Sequence, residues 1–396
     1  MTKLPVKEKF SLPEGMIYLD GNSLGPLPKA VPERLASMIT DEWGAHLIKG
    51  WNVDDWMGQP MRVGNRVGGL VGAPEGSVTM GDTLSIKVFQ ALASSLKLQP
   101  ERKVILSDTG NFPSDLYMAE GLIKHLGQGH ELRLVAPEDV ASAMTDDVAV
   151  AMITQVDYRS GRMHDMNAIT KAAHDAGAVM LWDLAHSAGA LPVDLAASGC
   201  EFAVGCTYKY LNGGPGAPAF IYVRPDLIKE LEPALSGWLG HDAPFAFEQS
   251  YRPAGGIERM RVGTPPVMQL TALEAALDVW DGVDMEDLRA ASIRLSDLFI
   301  TEVEATCPTL TLASPRDGAQ RGSQVSFASE NGYPIMQALI ARDVIGDFRA
   351  PNMIRFGFTP LYVDEDDVRR AAVVLADILD NRHWDNPQYQ QTGRVT

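Results

Sequence analysis

Thr207-Tyr208-Lys209-Tyr210-Leu211-Asn212-Gly213-Gly214 is the stretch from which the fold of this chain is read. An apolar run, Phe202-Ala203-Val204-Gly205-Cys206, leads into it, and paired glycines close it. The pattern is a buried strand that stops at a lysine in a Gly-rich turn. Upstream, Val179-Met180-Leu181-Trp182 is a second apolar run, and it stops at Asp183. Val148 to Thr154 makes a third run and Ala219 to Val223 a fourth. Between the third and second runs, Ile169, Ala172, Ala173 and Ala176 recur at helical spacing, with Gly177 as the stop. Strands alternating with helices predict class α/β: a mostly parallel, seven-stranded-type sheet between helical layers. Ligands of such sheets sit beyond the carboxyl ends of the strands. Thr154, Asp183 and Lys209 are therefore predicted to converge on one cleft.

Composition narrows the function. A chain of 396 residues, 45% of them hydrophobic, suits one large and one small domain. Its net charge of -17 repels nucleic-acid phosphates and anionic lipid, so neither is an expected partner. Cys200, Cys206 and Cys307 form no CxxC pair and no disulfide framework. No HExxH and no GxxxxGK[ST] occurs, which leaves no metal or nucleotide motif. The segment from Met1 to Lys9 carries no apolar run after its charges, and no stretch reaches membrane-spanning length. A cytoplasmic protein is expected.

The character changes near Val267. Leu270, Leu273, Leu277 and Trp280 make one helix face, and Leu288, Ala291, Leu295 and Leu298 a second. Strand-like Gln324 to Phe327, a helix-like segment from Ile335 to Arg342 and strand-like Met353 to Phe358 follow. Asp364 caps a last helix carrying Val368, Ala371, Ala372, Leu375 and Leu379. The expected division is an N-terminal segment over residues 1–50, a large domain over 51–266 and a small α+β domain over 267–396. The tail from Gln388 is polar and expected to fray.

Several residues carry chemistry. A strand-end lysine that loses water becomes a nucleophilic amine, and Lys209 is so placed. Asp183 reads either as a helix N-cap or as the partner of a cationic nitrogen. Taken together they suit pyridoxal phosphate: the amine forms a Schiff base with the cofactor aldehyde, and the carboxylate keeps the pyridine nitrogen protonated. Gly81-Asp82-Thr83-Leu84-Ser85 opens a helix, which is either an ordinary cap or an anion site built from N–H groups and the Ser85 hydroxyl. Trp238 offers an indole N–H and Thr264 a hydroxyl. Phe112 follows the strand Val104-Ile105-Leu106 and can stack on a flat ring or join the core. Arg355 lies in an apolar strand and needs an anion there, either a structural carboxylate or a substrate's.

These pieces together resemble kynureninase, within the fold-type I pyridoxal phosphate enzymes related to class V aminotransferases. The resemblance rests on Tyr18-Leu19-Asp20-Gly21-Asn22-Ser23-Leu24-Gly25-Pro26, Asn111-Phe112-Pro113-Ser114-Asp115, Asp183-Leu184-Ala185-His186, Tyr208-Lys209-Tyr210-Leu211-Asn212, Gly237-Trp238-Leu239-Gly240-His241 and Thr264-Pro265-Pro266. It implies an aspartate aminotransferase-like fold, with Lys209 as the Schiff-base lysine and Asp183 under the pyridinium. It further implies Leu84, Ser85, Tyr208, Trp238 and Thr264 around the phosphate, Phe112 on the ring face, and Thr154 and His186 at the ring side. In this family the residues matching Trp238 and Thr264 reach the neighbouring subunit's cofactor, which implies a homodimer. Arg355 would hold the substrate's α-carboxylate.

The implied reaction is hydrolysis of the Cβ–Cγ bond of L-kynurenine, or its 3-hydroxy form, to anthranilate or 3-hydroxyanthranilate and L-alanine. Lys209 would move the α-proton, with Tyr208 as a relay. Trp51, and after it His46, are the expected walls for the substrate's aromatic ring, although Trp51 equally suits an interface. The resemblance implies a role in tryptophan breakdown or in pyridine nucleotide synthesis. Two other readings compete. A cysteine desulfurase or selenocysteine lyase of the same fold needs a mobile cysteine, and none of the three lies on an evident active-site loop. A cofactor-binding regulator needs a DNA-binding appendage, and no basic helix-turn-helix precedes Leu19.

Overall fold

A computed structural model describes Leu4, Val6–Gln391 and Gly393. The opening residues Met1–Lys3 and Pro5, part of the segment searched for a leader, lie outside the described residues, as do Thr392 and the last three residues of the tail. A short strand, β1 (Ile17–Tyr18), precedes the main sheet. That sheet has seven strands: β2 (Val78–Met80), β3 (Val104–Asp108), β4 (Glu131–Val135), β5 (Val148–Thr154), β6 (Val179–Asp183), β7 (Phe202–Gly205) and β8 (Phe220–Val223). Their order is β2-β8-β7-β6-β5-β3-β4. The run from β7 to β4 is parallel, and β8 is antiparallel to both neighbours.

The central strands are buried on both faces because they are apolar at nearly every position, whereas the edge strand β4 carries Glu131 and Arg133 and is partly exposed. β5 is buried along all seven residues. Successive side chains divide between two cores, as strand geometry requires. Ile105, Val150, Leu181, Val204 and Ile221 pack under the helices Leu84–Leu98 and Pro113–Leu126. Leu106, Ala151, Met180, Trp182 and Ala203 pack into the larger core with the helices Gln59–Leu70 and Val267–Ala276.

Parallel register brings the functional strand ends together. Thr154 pairs with Asp183, and Asp183 with Val204. The loops after β3, β5, β6 and β7 thus leave one edge of the sheet side by side, and they carry Phe112, Tyr158, His186 and Lys209.

The C-terminal part holds β9 (Thr311–Leu312), β10 (Gln324–Ala328), β11 (Val344–Ile345), β12 (Asp347–Arg349) and β13 (Met353–Gly357). Four of them form an antiparallel sheet in the order β12-β13-β10-β9. The helices Met285–Thr306 and Glu365–Asp380 pack on each other, and the second opens with a capping box from Asp364 to Asp367. β1 pairs in parallel with β11, and the Val6 amide donates to the Leu361 carbonyl at 2.8 Å. The N-terminal segment is therefore stitched to the C-terminal part. The tail beyond Gln388 is held where it is described, since Tyr333 Oη donates to the Gln391 carbonyl at 2.9 Å.

Candidate active site

Lys209 sits in a turn whose backbone closes on itself. The Asn212 amide donates to the Lys209 carbonyl at 2.9 Å, and the Gly213 amide to Thr207 at 2.9 Å. Asn212 has φ +58°, a left-handed conformation that asparagine tolerates better than most side chains. The Gly25 amide donates to the Tyr208 carbonyl at 2.8 Å, and a Cβ at Gly25 would collide with the Lys209 carbonyl. This close approach explains why the N-terminal Asp-Gly-Asn-Ser-Leu-Gly run and the lysine turn belong to one site.

The amine itself faces His186, with Nζ 3.0 Å from Nε2. The other ring nitrogen, Nδ1, lies 3.0 Å from Gln324 Oε1. Gln324 Nε2 donates to the carbonyls of Asp157 and Tyr158, so its oxygen is left to accept. That network assigns the proton to His186 Nδ1 and makes Nε2 the acceptor for Lys209. Burial first, then the positive charges of Lys209, Arg355 and Arg349, hold His186 well below the usual imidazole range. A neutral His186 steers the lysine without repelling it.

Asp183 ends β6 fully buried. It accepts from the Ala185 amide at 2.8 Å, and Thr154 Oγ1 stands 3.3 Å away. The single hydroxyl proton of Thr154 goes to Asn111 Oδ1 at 2.5 Å, so Thr154 gives no proton to Asp183 Oδ2. Burial raises the Asp183 carboxyl, while Lys209 and the Ala185 amide oppose the rise. Asp115 lies against it. Burial, then the Asp183 charge, push Asp115 well above the usual carboxylate range. Two buried carboxyls so close share one charge, with Asp115 neutral and Asp183 ionised.

Two helix N-termini meet nearby. Ser85 is the second residue of Leu84–Leu98 and Ser114 the second of Pro113–Leu126, and their hydroxyls are 2.9 Å apart. The two helix ends and their hydroxyls form a cup suited to a phosphate. Leu84 lines its start. Phe112, 44% exposed, stands edge-on to the Tyr158 ring at 5.1 Å. Tyr208 is half-buried, its ring 5.8 Å from Lys209 Nζ, and burial keeps its phenol protonated.

The structure thus brings Thr154, Asp183, His186, Tyr208 and Lys209 together, with Phe112 and the Ser85 cup on the adjoining strand-end loops. Other candidates are exposed or have partners of their own. Trp238 is 43% exposed and stacks on Phe245. Thr264 is exposed on a neighbouring loop. Trp51 stacks edge-on against Trp56 at 5.5 Å, and His46 Nδ1 bonds the Asp54 carboxylate at 2.9 Å.

Arg355 has the structural carboxylate that its burial demands. Its Nε donates to Asp347 Oδ1 at 2.7 Å, its Nη2 to Asp347 Oδ2 and, at 2.9 Å, to Ser23 Oγ, and its Nη1 to the Tyr158 carbonyl. Sequence reading assigned no role to Asp115, Ser114, Asp347, Tyr158 or Gln324. Asp115 and Ser114 stood inside a quoted motif and could have been weighed as ligands. Gln324 is 138 positions from His186, and nothing local marks it.

The site's parts fit pyridoxal phosphate: an amine at a strand end, a buried carboxylate, a helix-end cup and a ring beside them. Among the described residues no cluster could hold a metal ion, and no helix is long and apolar enough to cross a membrane.

Solved structures with this chain's fold include a cysteine desulfurase from Thermococcus onnurineus NA1, with a TM-score of 0.80 and 18% identity over 96% of this chain and 99% of that one. Another is C-DES, solved with glycine covalently linked to its PLP cofactor, with a TM-score of 0.80 and 17% identity over 94% of this chain and 99% of that one. These define the class: a fold-type I architecture. Sequence decides within it. The kynureninase of Pseudomonas fluorescens is 50% identical over 99% of this chain and 96% of its own length, as is that of Burkholderia pseudomallei strain 1106a. The model of the kynureninase C-terminal domain matches residues 288–375. The chain belongs to the kynureninase family.

Proposed function

We propose that this protein hydrolyses L-kynurenine, and with it 3-hydroxy-L-kynurenine, to the corresponding anthranilate and L-alanine, with pyridoxal phosphate as cofactor. One observation carries the reading: Lys209 Nζ stands 3.0 Å from His186 Nε2 in a site that also holds the buried carboxyls of Asp183 and Asp115. The bound cofactor supplies an electron sink, provided its ring nitrogen stays protonated.

The chain's own groups do the rest. Asp183 keeps its charge because Asp115 takes the shared proton, and that charge holds the ring-nitrogen proton in place. Lys209 Nζ is the base that takes the proton from the substrate's Cα and returns it elsewhere. Tyr208 keeps its hydroxyl proton at neutral pH, so it relays a proton rather than abstracting one. The Leu84–Ser85 turn and Ser114 hold the phosphate, Phe112 covers the ring face, and Thr154 orients Asn111 beside it. Trp51 and His46 wall the substrate's aromatic ring.

Trp238 and Thr264 complete the site from a second copy in a homodimer, which accounts for their exposure in one chain. The division at residues 50 and 266 places this site between the large domain and the other two segments.

The desulfurase alternative is disfavoured by the thiols. Cys200, Cys206 and Cys307 are all buried, and burial raises each, Cys200 to about 12. None is the exposed, low-pKa nucleophile that sulfur transfer needs. The test is anthranilate fluorescence on adding kynurenine to cofactor-loaded protein. Release of anthranilate with L-alanine in equal amount is expected. A protein whose Lys209 is labelled by borohydride reduction yet releases no anthranilate sinks the reading.

A further inference from the structure

Arg355 cannot offer a fork to an incoming carboxylate in this arrangement. A guanidinium has five N–H bonds. Four are committed: one from Nε and one from Nη2 to Asp347, one from Nη2 to Ser23, and one from Nη1 to the Tyr158 carbonyl. One N–H on Nη1 remains, on a side chain 1% exposed.

Arg349 stands beside it. It lies two residues after Asp347 on β12, so both project from the same face of the strand. Its Nη2 is 2.7 Å from Asp347 Oδ2 and donates to Ser23 Oγ at 3.2 Å, and its Nη1 donates to the Phe348 carbonyl at 3.0 Å. Its Nε–H and a second Nη1 hydrogen have no partner among the described residues. Its side chain is 33% exposed, the open member of the pair. Ser23 gives its own proton to Asp347 at 2.5 Å, which leaves its lone pairs for both arginines. Two cations thus share one buried carboxylate, with the raised Asp20 carboxyl beside them, and the unpartnered N–H groups of Arg349 still lack an acceptor. The Tyr158 carbonyl accepts from both Arg355 Nη1 and Gln324 Nε2, and Gln324 Oε1 bonds His186 Nδ1 at 3.0 Å, so the arginine pair adjoins the neighbour of the Lys209 amine.

We infer that Arg349 receives the substrate's α-carboxylate together with Arg355, and that Asp347 and Ser23 clamp the two guanidiniums side by side for that purpose. Arg355 gives its one remaining N–H. Arg349 gives the others, and Asp347 is not displaced. This rests on the reading of the site as one for an α-amino acid.

The test titrates L-alanine into cofactor-loaded protein and follows the cofactor absorbance, with ethylamine as the amine that lacks a carboxylate. Arg349→Gln is expected to weaken L-alanine roughly 10- to 100-fold, the worth of one or two charge-assisted hydrogen bonds, and to leave ethylamine within about twofold. KM for kynurenine rises by more than kcat falls. Arg349→Lys, which keeps the charge without the planar fork, recovers part of the loss and guards against a misfolded glutamine variant. L-alanine affinity within twofold of the parent overturns the inference. Equal loss for both amines also overturns it, since that places the damage at the lysine or the cofactor. A parent that binds L-alanine but leaves kynurenine intact defeats the functional reading alone.

Discussion

Replacing Asp347 by alanine tests the buried charge cluster directly. Asp347 is fully buried and takes hydrogen bonds from Arg355 Nε, Arg355 Nη2 and Ser23 Oγ, with Arg349 Nη2 at 2.7 Å. The two arginines hold its carboxyl below the ordinary range against its burial. Removing one partner of a buried ion pair leaves the other uncompensated, which costs about 3–5 kcal/mol. Asp20 softens the loss. It lies close by with its carboxyl raised to about 7 by burial and by the Asp347 charge. Once Asp347 is gone, Asp20 ionises more readily and neutralises part of the cluster. The expected cost is therefore about 3 kcal/mol for Asp347→Ala, growing toward about 5 kcal/mol when Asp20→Asn is added. At roughly 2 cal/mol/K per residue, a chain of this length loses about 4 °C in Tm for the single variant and about 6 °C for the double. Calorimetry at pH 7.5 reads both. Asp347→Ala combined with Arg355→Met removes cation and anion together and regains most of the loss. The sign with pH follows from the lowered carboxyl. The Asp347 contribution is complete above its unfolded value near 4 and fades as pH falls below it. A Tm within about 1 °C of the parent for Asp347→Ala, or no recovery in the combination with Arg355→Met, would refute the reasoning.

The raised Asp20 carboxyl has a sign of its own. Its native form binds a proton that the unfolded chain has lost between about pH 4 and 7, so the parent loses stability as pH rises through that window. Asp20→Asn removes that slope, and its advantage over the parent, up to a few kcal/mol, should appear at pH 8 and vanish at pH 4 in urea titrations. Asp115→Asn substitutes a neutral amide for a neutral acid and should keep cofactor affinity within about threefold, whereas Asp183→Asn should cut turnover at least about 100-fold; single-turnover kinetics on cofactor-loaded variants separates them. Finally, the three buried thiols should resist a colorimetric thiol reagent in native buffer and all react in denaturant. A thiol that labels within minutes in the folded enzyme, with loss of activity, would reopen the desulfurase reading.

Much of the architecture was legible along the chain because a parallel strand buried on both faces must be apolar throughout. Val148–Thr154 and Val179–Asp183 announce themselves that way, and Asp183 and Lys209 stand out as the polar residues that stop such runs. The helix opened by Asp364 was equally plain, since its cap and its apolar spacing are local. What lies between elements was not legible. Gln324 reaches His186 from a strand of the C-terminal sheet, and Asp347 reaches Arg355 from the strand beside it. Which anion Arg355 meets depended on a neighbour its own strand does not name. The chain by itself determined where a nucleophilic lysine and its carboxylate fall, because each ends a hydrophobic run. Only tertiary packing decided the protonation of His186, the sharing of one charge by Asp115 and Asp183, and the occupation of Arg355 by Asp347. Burial and proximity set those, and both arise only when distant segments close on one another.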